Sequence, residues 1–340
     1  MRINSKRKTI LGVVIALLAI LLFWLGIRFI DEHNLLDEQY GDTGDWGDVD
    51  EDIDLTIGGV NYLSDDDIDT FLLIGTDAGS GELGEKYSET MADFLVLLLV
   101  DNTTQRFAFI QVDRNSIAPI KTVDKDGNIV DYEKQQICVA HWYGEDEAKH
   151  NYNTVLTLSN LLGGLRIDDY YTINMADIGK INNAIGGVTV NIEEDMTNVD
   201  PEFVQGAQVH LTDDQAEKFV RARMDVGDGS NKGRMSRQTQ YMQNAYSMII
   251  GQLRDNPEYV NDLYDQLRDN VETSGDGSEI SRLTNHMIQY DNLGILQLDG
   301  TTKFGDTQGD GIEHEEFYVN EDSIVSVLGK VMDLYQNDEE

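Results

Sequence analysis

The sequence predicts an α/β fold, in which a central mixed sheet is covered by helices on both sides, preceded by one N-terminal transmembrane helix. Two observations support this prediction. Short apolar runs typical of buried strands alternate with segments of helical periodicity from residue 68 onward. Close to the N-terminus, an uncharged apolar run extends over 18 residues, "ILGVVIALLAILLFWLGI".

The apolar run predicts a single membrane anchor. Eighteen residues of helix span about 27 Å, close to the thickness of the hydrocarbon core of a bilayer. Residues 1–9 carry four basic side chains, and acidic residues follow the run, so we place residues 1–9 in the cytoplasm and the anchor at 10–30. A cleaved signal peptide is the alternative, but its apolar core is usually shorter and is followed by a small-x-small cleavage site. The main domain is therefore expected on the outer side of the membrane.

Residues 31–67 are predicted to be an acidic extracellular tether, because no Lys or Arg occurs between Phe29 and Glu85. The carboxylates in this segment do not have the spacing of an EF-hand loop, which favours a solvated spacer over a calcium site. The formal net charge of the chain is -38, with 25 basic and 63 acidic side chains. Such a charge excludes general binding to nucleic acid.

The extracellular domain is predicted to span 68–340. Its first elements are a strand in "IDTFLLIGTD" and a hairpin made by Phe94 to Val100 and Phe107 to Val112. A helix follows from Asn151 to Leu165 and ends at a pair of glycines. Next come the strands "DYYTINM" and "GGVTVNI", which flank a helix from Met175 to Ile185.

The remaining elements are mostly helical. Thr212 and Gln215 have the spacing of a capping box at the start of "DDQAEKFVRAR". Further helices are predicted from Met235 to Leu253 and from Pro257 to Leu267, followed by one more helix, a strand "GILQLDG" and a C-terminal helix from Ser323 to Tyr335.

Four arginines lie within twenty residues of this acidic chain, in "FVRARMDVGDGSNKGRMSRQ". They are Arg221, Arg223, Arg234 and Arg237. Guanidinium groups bind phosphate oxygens in a bidentate manner, and several that converge favour a pyrophosphate ligand. The alternative is a set of surface ion pairs with the abundant carboxylates, and composition alone favours that alternative.

Two aspartates and a further arginine stand at predicted strand ends. Asp77 ends the strand "FLLIGTD", Asp93 begins the strand in "MADFLV", and Arg114 follows the strand Phe107 to Val112. Ligands of α/β sheets usually bind at such junctions, and two carboxylates could hold Mg²⁺ against phosphate oxygens. Each residue taken singly could instead be a cap or a turn residue. The sequence has no Walker motif and only one cysteine, Cys138, which excludes an internal disulfide.

The motifs "FLLIGTD", "MADFLVLLLVDNTTQRFAFIQVDRNS", "INNAIGGVTVNI" and "LTDDQAEKFVRARMD…GRMSRQTQ" resemble the LytR–CpsA–Psr family in order and spacing. The resemblance covers Ile68 to Leu253. Its most specific element is the arginine pair followed by G-R-x-x-R-Q. The resemblance implies a three-layer α/β/α sandwich with an apolar interior for a polyprenyl tail.

The resemblance also implies an activity. Members of the family are membrane-anchored phosphotransferases that move a glycopolymer, such as a teichoic acid or a capsular polysaccharide, from undecaprenyl pyrophosphate to peptidoglycan. Asp77 and Asp93 resemble the aspartates that hold magnesium, and Arg114 and Asp93 stand at the catalytic positions. The residues that resemble the pyrophosphate ligands are Arg114, Arg221, Arg223, Arg234 and Gln238.

Two departures from the family pattern leave the activity open. Met91 stands where the family usually has an arginine, and Asn115 stands where it usually has an aspartate. A non-catalytic scaffold that binds polyprenyl pyrophosphate, or modulates envelope assembly, is therefore an alternative to the transferase. Hydrolysis of the lipid pyrophosphate by water is a third possibility.

Overall fold

The computed structural model describes residues 53–77, 90–123, 129–144, 147–224, 226–256, 259–275 and 289–337. The described residues form two compact units. We call the first the sheet unit, which contains the described residues of 27–172, 273–275 and 295–340. We call the second the helical unit, which contains those of 173–272 and 276–294. The predicted anchor at 10–30 lies outside the described residues, among which no helix has the length and apolarity needed to cross a membrane.

A mixed six-stranded sheet forms the centre of the fold, as expected for the α/β class. Its strands are β3 Ile68–Thr76, β4 Ala92–Asp101, β5 Arg106–Val112, β8 Asp169–Asn174, β11 Val271–Thr273 and β12 Asp291–Gln297. Across the sheet they follow the order β11-β8-β3-β4-β5-β12. The strands β3, β4 and β5 are nearly continuous apolar runs, because both faces of each strand are buried. The antiparallel pairing of β4 with β5 confirms the predicted hairpin.

The folded region begins earlier than predicted. β1 Ile53–Ile57 and β2 Val60–Ser64 form an antiparallel hairpin within the segment predicted to be a tether. Leu55 and Ile57 are buried, and the acidic residues around them obscure this short alternating pattern in the sequence. The boundary predicted at residue 68 is therefore wrong, and residues 31–52 lie outside the described residues.

The C-terminal helix is shorter than predicted. It is α6 Glu321–Leu328, capped at its N-terminus by the Asn320 side chain. The helix was predicted from Ser323 to Tyr335, but the chain leaves the helix after Leu328. Beyond it, β15 Tyr335–Gln336 pairs with β2 and extends the β1–β2 hairpin into a three-stranded sheet. Before α6 lies an antiparallel hairpin of β13 Gly300–Gly305 and β14 His314–Val319.

A second hairpin and two helices pack together in the sheet unit. β6 Ile117–Val123 pairs with β7 Ile129–Gln136, and the chain continues into a short 3₁₀ helix, Ile137–Trp142, and then α1 Glu147–Leu161. The side chain of Asn153 on α1 donates hydrogen bonds to the carbonyls of Lys121 and Ala140, at 3.0 and 2.8 Å. These bonds tie the helix to both neighbouring segments. Gly163 and Gly164 have positive φ angles, and α1 ends shortly before this predicted stop.

The helical unit follows the predicted order of elements. It contains α2 Ile178–Ala184, the short antiparallel pair β9 Thr189–Asn191 and β10 Gln208–His210, and three further helices, α3 Asp213–Arg221, α4 Asn231–Asp255 and α5 Tyr259–Leu267. Thr212 and Gln215 form the capping box at the start of α3, as predicted. The helix predicted between α5 and β12 falls largely on residues 276–288, outside the described residues. The three-layer arrangement of the whole domain stays a prediction.

Candidate functional site

Asp77, Asp93 and Arg114 lie together in the sheet unit. β3 and β4 pair in register up to Gly75 and Phe94, after which Thr76 pairs with Ala92 and Asp93 is the extra residue of a β-bulge. Bulges redirect side chains and often lie beside functional sites. The carboxylate of Asp93 accepts a very short hydrogen bond from Nη1 of Arg114. The structure thus brings these three predicted residues together at one edge of the central sheet.

Asp77 is fixed to the start of β4 by a pair of hydrogen bonds. Its Oδ1 accepts a hydrogen bond of 2.7 Å from the Met91 backbone N–H, and its own backbone N–H donates to the Met91 carbonyl at 3.2 Å. The Asp77 carboxylate is close enough to Arg114 for its negative charge to raise the pKa of the guanidinium.

The guanidinium of Arg114 is held by sulfur as well as oxygen. Its Nη2 donates to Sδ of Met91 and to Sγ of Cys138, each at 2.9 Å. The side chain is only 12% exposed, and its Nε–H is buried without an acceptor among the described residues. Burial on its own lowers the pKa of Arg114, but its interactions with Cys138, Asp93 and Asp77 more than compensate and raise the pKa above its ordinary value. Arg114 is therefore a permanent buried cation.

A buried polar chain lies beside this cluster. Thr90, which precedes Met91, shares a hydrogen bond of 3.0 Å with Nδ1 of His141, and Nε2 of His141 contacts Oδ1 of Asn151 at 3.1 Å. Thr172 donates to the same Asn151 oxygen at 2.7 Å. His141 thus connects the start of β4 to α1 and, through Asn151, to β8, a connection that no local sequence pattern indicates.

Asp77 and Asp93 are the residues of this cluster that could hold the magnesium ion implied by the family resemblance. Mg²⁺ prefers hard oxygen ligands and commonly binds one or two carboxylates, with water and substrate phosphates completing its octahedron. Asp77 and Asp93 provide that minimal set, whereas the nearby sulfur atoms are poor ligands for this ion. No group of three or more His, Cys, Asp or Glu side chains within the described ranges is arranged to hold a metal. Magnesium would therefore depend on oxygen atoms from the substrate.

In the helical unit, the predicted arginines surround the end of α3. Arg221 is the last residue of this helix, and Arg223 lies in the extended segment beyond it, so the two are not on one helical face. Arg221 forms an ion pair of 2.7 Å with Glu217, one turn earlier. Nε of Arg223 donates to the Gly229 carbonyl at 3.3 Å, which closes the glycine-containing loop between α3 and α4.

Gln238 and Arg237, on α4, bind backbone carbonyls at the end of α3. Nε2 of Gln238 donates to the Val220 carbonyl at 3.3 Å. Arg237 donates to the carbonyls of Phe219 and Ala222 and forms an ion pair of 2.6 Å with Glu194. Gln238 was predicted to be a pyrophosphate ligand, but its amide nitrogen already serves to satisfy a helix terminus. Sequence reasoning missed this function because it depends on the approach of two helices.

Arg234 is buried in the first turns of α4. Both Nε and Nη2 donate to Oδ1 of Asn231, at 3.1 and 2.5 Å. Asn231 is fully buried, and its amide oxygen fixes the position of the arginine. The predicted alternative of surface ion pairs applies to Arg221, whereas Arg234 is buried and does not lie at the surface.

A separate open cleft of about 460 Å³ lies in the helical unit. Six of its eight lining residues have polar or charged side chains, and none of the eight is a predicted site residue. The lining residues are Ala176, Gly179, Lys180, Asn183, Asp213, Asp214, Glu217 and Gln266. This polar cleft is not the apolar cavity that the resemblance implies for a polyprenyl tail.

Comparison of the sequence with models of known protein families shows which family the chain belongs to. Residues 45–330 match the sequence model of the LytR_cpsA_psr family. The chain belongs to the LytR–CpsA–Psr family. This confirms the resemblance seen between Ile68 and Leu253 and extends it over the β1–β2 hairpin.

Two curated proteins and one solved structure are similar to this chain. Biofilm regulatory protein A of Streptococcus mutans is 27% identical over 205 residues, which are 57% of this chain and 47% of that protein. The chain thus spans about half the length of this relative. The polyisoprenyl-teichoic acid–peptidoglycan teichoic acid transferase TagU of Oceanobacillus iheyensis is 25% identical over 71% of this chain and 70% of the enzyme. The crystal structure of B. subtilis TagV aligns with a TM-score of 0.56 at 18% identity, covering 77% of this chain and 96% of TagV, and supports the fold alone.

Proposed function

We propose that this protein is a phosphotransferase that moves a glycopolymer from a polyprenyl pyrophosphate carrier to peptidoglycan. The observation that carries the proposal is the buried Arg114 cation, which is flanked by the carboxylates of Asp93 and Asp77. A permanent cation beside two potential metal ligands suits an anionic phosphate group. The Nε–H of Arg114 lacks an acceptor among the described residues, and a phosphate oxygen would supply one.

Arg114 would act on the charge that develops during transfer. As an acceptor hydroxyl attacks the phosphorus atom linked to the polymer, the bond to the departing polyprenyl phosphate breaks and negative charge grows on its oxygen. A guanidinium already fixed in place stabilises that charge without reorganising during the reaction. Asp77 and Asp93 would hold magnesium, which when bound supplies Lewis-acid stabilisation of phosphate oxygens. Arg221, Arg223 and Arg234 are proposed as further ligands of anionic substrate oxygens, as the family resemblance implies.

The name of one relative supports the proposed substrate class. TagU of Oceanobacillus iheyensis is named as a teichoic acid transferase acting between a polyisoprenyl carrier and peptidoglycan. We extend this to a teichoic-acid or capsular-type polymer as cargo for the present chain. The predicted anchor at 10–30 would hold the domain at the outer face of the cell membrane, where a lipid-linked donor and the wall meet.

The test uses the purified full-length chain with Mg²⁺, a short lipid-linked glycopolymer and peptidoglycan. Release of polyprenyl phosphate and attachment of polymer to the wall are measured together. Arg114→Ala should lower the rate by about 10²- to 10³-fold, because it removes a fixed charge from the transition state. Arg106→Ala is the matched control, since Arg106 is a partly buried arginine of the same unit that is paired with the exposed Asp333 and not with a predicted site residue. Equal rates for both variants would contradict the assignment.

The second candidate is a non-catalytic scaffold for polyprenyl pyrophosphate. Asp93 is already bound to Arg114, and Met91 replaces a cation of the family pattern, so a tight binding site without turnover has structural support. Magnesium-dependent binding of the lipid without polymer transfer would favour this candidate. Release of lipid phosphate that does not require peptidoglycan would instead indicate hydrolysis.

A further inference from the structure

Two sulfur atoms occupy one end of the Arg114 guanidinium. Nη2 carries two hydrogens, and the structure provides two acceptors for them, Sδ of Met91 and Sγ of Cys138, both at 2.9 Å. Both hydrogens of this nitrogen therefore have partners within the protein.

Both sulfur-bearing residues are tied by their backbones to the site itself. The Cys138 N–H donates to the carbonyl of Arg114 at 3.1 Å, and the Met91 backbone exchanges two hydrogen bonds with Asp77. Cys138 is fully buried in a cluster with Ile120, Val139 and Ala140, and Met91 packs against the same cluster. The two sulfur atoms consequently form a fixed support rather than a pair of mobile contacts.

This support determines which nitrogen atoms of Arg114 can meet a substrate. Nη2 is held by sulfur and Nη1 donates one of its two hydrogens to Asp93, while Nε–H has no acceptor among the described residues. A thioether is uncharged, so Met91 orients the guanidinium without cancelling its charge, unlike a second carboxylate.

We propose that Cys138 and Met91 are positioning residues, whose sulfur atoms together orient the Arg114 guanidinium toward the phosphate of the substrate. The proposal rests on the proposed transferase function and deepens it. The proposal also assigns a function to Met91, a departure from the family pattern that the sequence alone did not explain. The Met91 sulfur helps to orient the Arg114 guanidinium, but it does not replace the positive charge of the arginine that the family usually has at this position.

The experiment compares Cys138→Ala, Cys138→Ser and Met91→Leu with the parent in the transfer assay, using the full-length chain. Met91→Leu nearly conserves volume but removes the acceptor, and Cys138→Ser keeps an acceptor. Cys138→Ala and Met91→Leu should each lower kcat by about 3- to 10-fold, the cost of one weak hydrogen bond in the transition state. KM should change little, and Cys138→Ser should recover most of the loss.

A double-mutant cycle separates positioning from simple stability. In an Arg114→Ala background, Cys138→Ala and Met91→Leu should have no further effect on kcat, because the group that they orient is gone. Val139→Ala is the matched control, since Val139 is equally buried in the same 3₁₀ helix but does not contact Arg114 through an identified bond. It should leave kcat unchanged in both backgrounds.

The possible outcomes distinguish the two proposals. If Arg114→Ala abolishes transfer while Cys138→Ala and Met91→Leu are as active as the parent, the sulfur support is refuted and the proposed function stands. If the sulfur variants lower kcat equally with and without Arg114, their effect is only structural and the inference is also refuted. If Arg114→Ala transfers at the parent rate, both proposals fail. Should Cys138→Ala not fold, Met91→Leu and Cys138→Ser decide the question.

Discussion

At the scale of single residues, burial changes what each charged group can do. Arg114 keeps its charge in a buried site because Asp93 and Asp77 lie beside it. Truncating one member of a buried charge pair is costly, because the remaining charge loses its partner. The three groups should therefore be treated as one unit whose single-residue effects are not additive.

Asp168 provides a pH-dependent prediction at the same scale. Burial raises the pKa of this carboxyl above its ordinary value, although Arg166 and the hydrogen bonds from Thr70 oppose the shift. A carboxyl with a raised pKa in the folded state favours folding below its unfolded pKa, and this contribution is lost as the pH rises through the folded value. The stability of Asp168→Asn relative to the parent should therefore increase as the pH rises from the ordinary pKa of the carboxyl, about 4, through its raised value in the folded state.

Urea unfolding at several pH values measures this difference. The neutral amide retains an oxygen acceptor for Thr70, whose N–H donates to Asp168 at 2.8 Å, so the main change is the loss of the charge. Asp54→Asn, in β1, is a control for a general change of net charge. A constant difference between Asp168→Asn and the parent across this pH range would contradict the prediction.

At the scale of secondary structure elements, the end of α3 is completed by side chains from α4. The last carbonyls of a helix have no partner within that helix. Arg237 and Gln238 supply three donors to the carbonyls of Phe219, Val220 and Ala222. The family's G-R-x-x-R-Q sequence thus contains residues that build the helix pair as well as residues that could bind phosphate.

Arg237→Leu should destabilise the fold much more than Arg221→Leu. The first change leaves two carbonyls and Glu194 without their partner and should cost about 2–4 kcal/mol. The second removes a partly exposed ion pair within α3 and should cost about 0.5 kcal/mol or less. Both free energies of unfolding come from denaturant titrations followed by circular dichroism. Similar losses for the two arginines would contradict the capping function of Arg237.

At the scale of the whole molecule, the sequence was most informative where the pattern is local. The buried runs of β4 and β5 and the capping box of α3 depend on neighbours a few residues apart, and the structure confirms them. β1 was missed because acidic residues obscure its short alternating run, although its partner β2 follows directly after Gly58 and Gly59. β15 was missed because it has only two residues and its partner β2 is distant in the sequence. The contact between Arg114 and Cys138 joins residues 24 positions apart and depends on the 3₁₀ helix after β7, which no local pattern indicates.

The net charge of -38 also sets conditions for the proposed activity. An acidic surface repels an anionic polymer, but in physiological salt such repulsion is screened beyond about 8 Å. Recognition therefore depends on cations that contact the phosphate groups directly. Arg114 and a magnesium ion held by Asp77 and Asp93 would meet this requirement.

The magnesium dependence of polymer transfer tests the central claim most directly. Transfer by the full-length parent, Asp77→Asn and Asp93→Asn is measured against Mg²⁺ concentration, with Asp333→Asn as the control. Our account predicts that a chelator stops the parent and the control, and that both site variants lose transfer or need far more Mg²⁺. Transfer that persists in chelator, or site variants with the magnesium requirement of the parent, would contradict it.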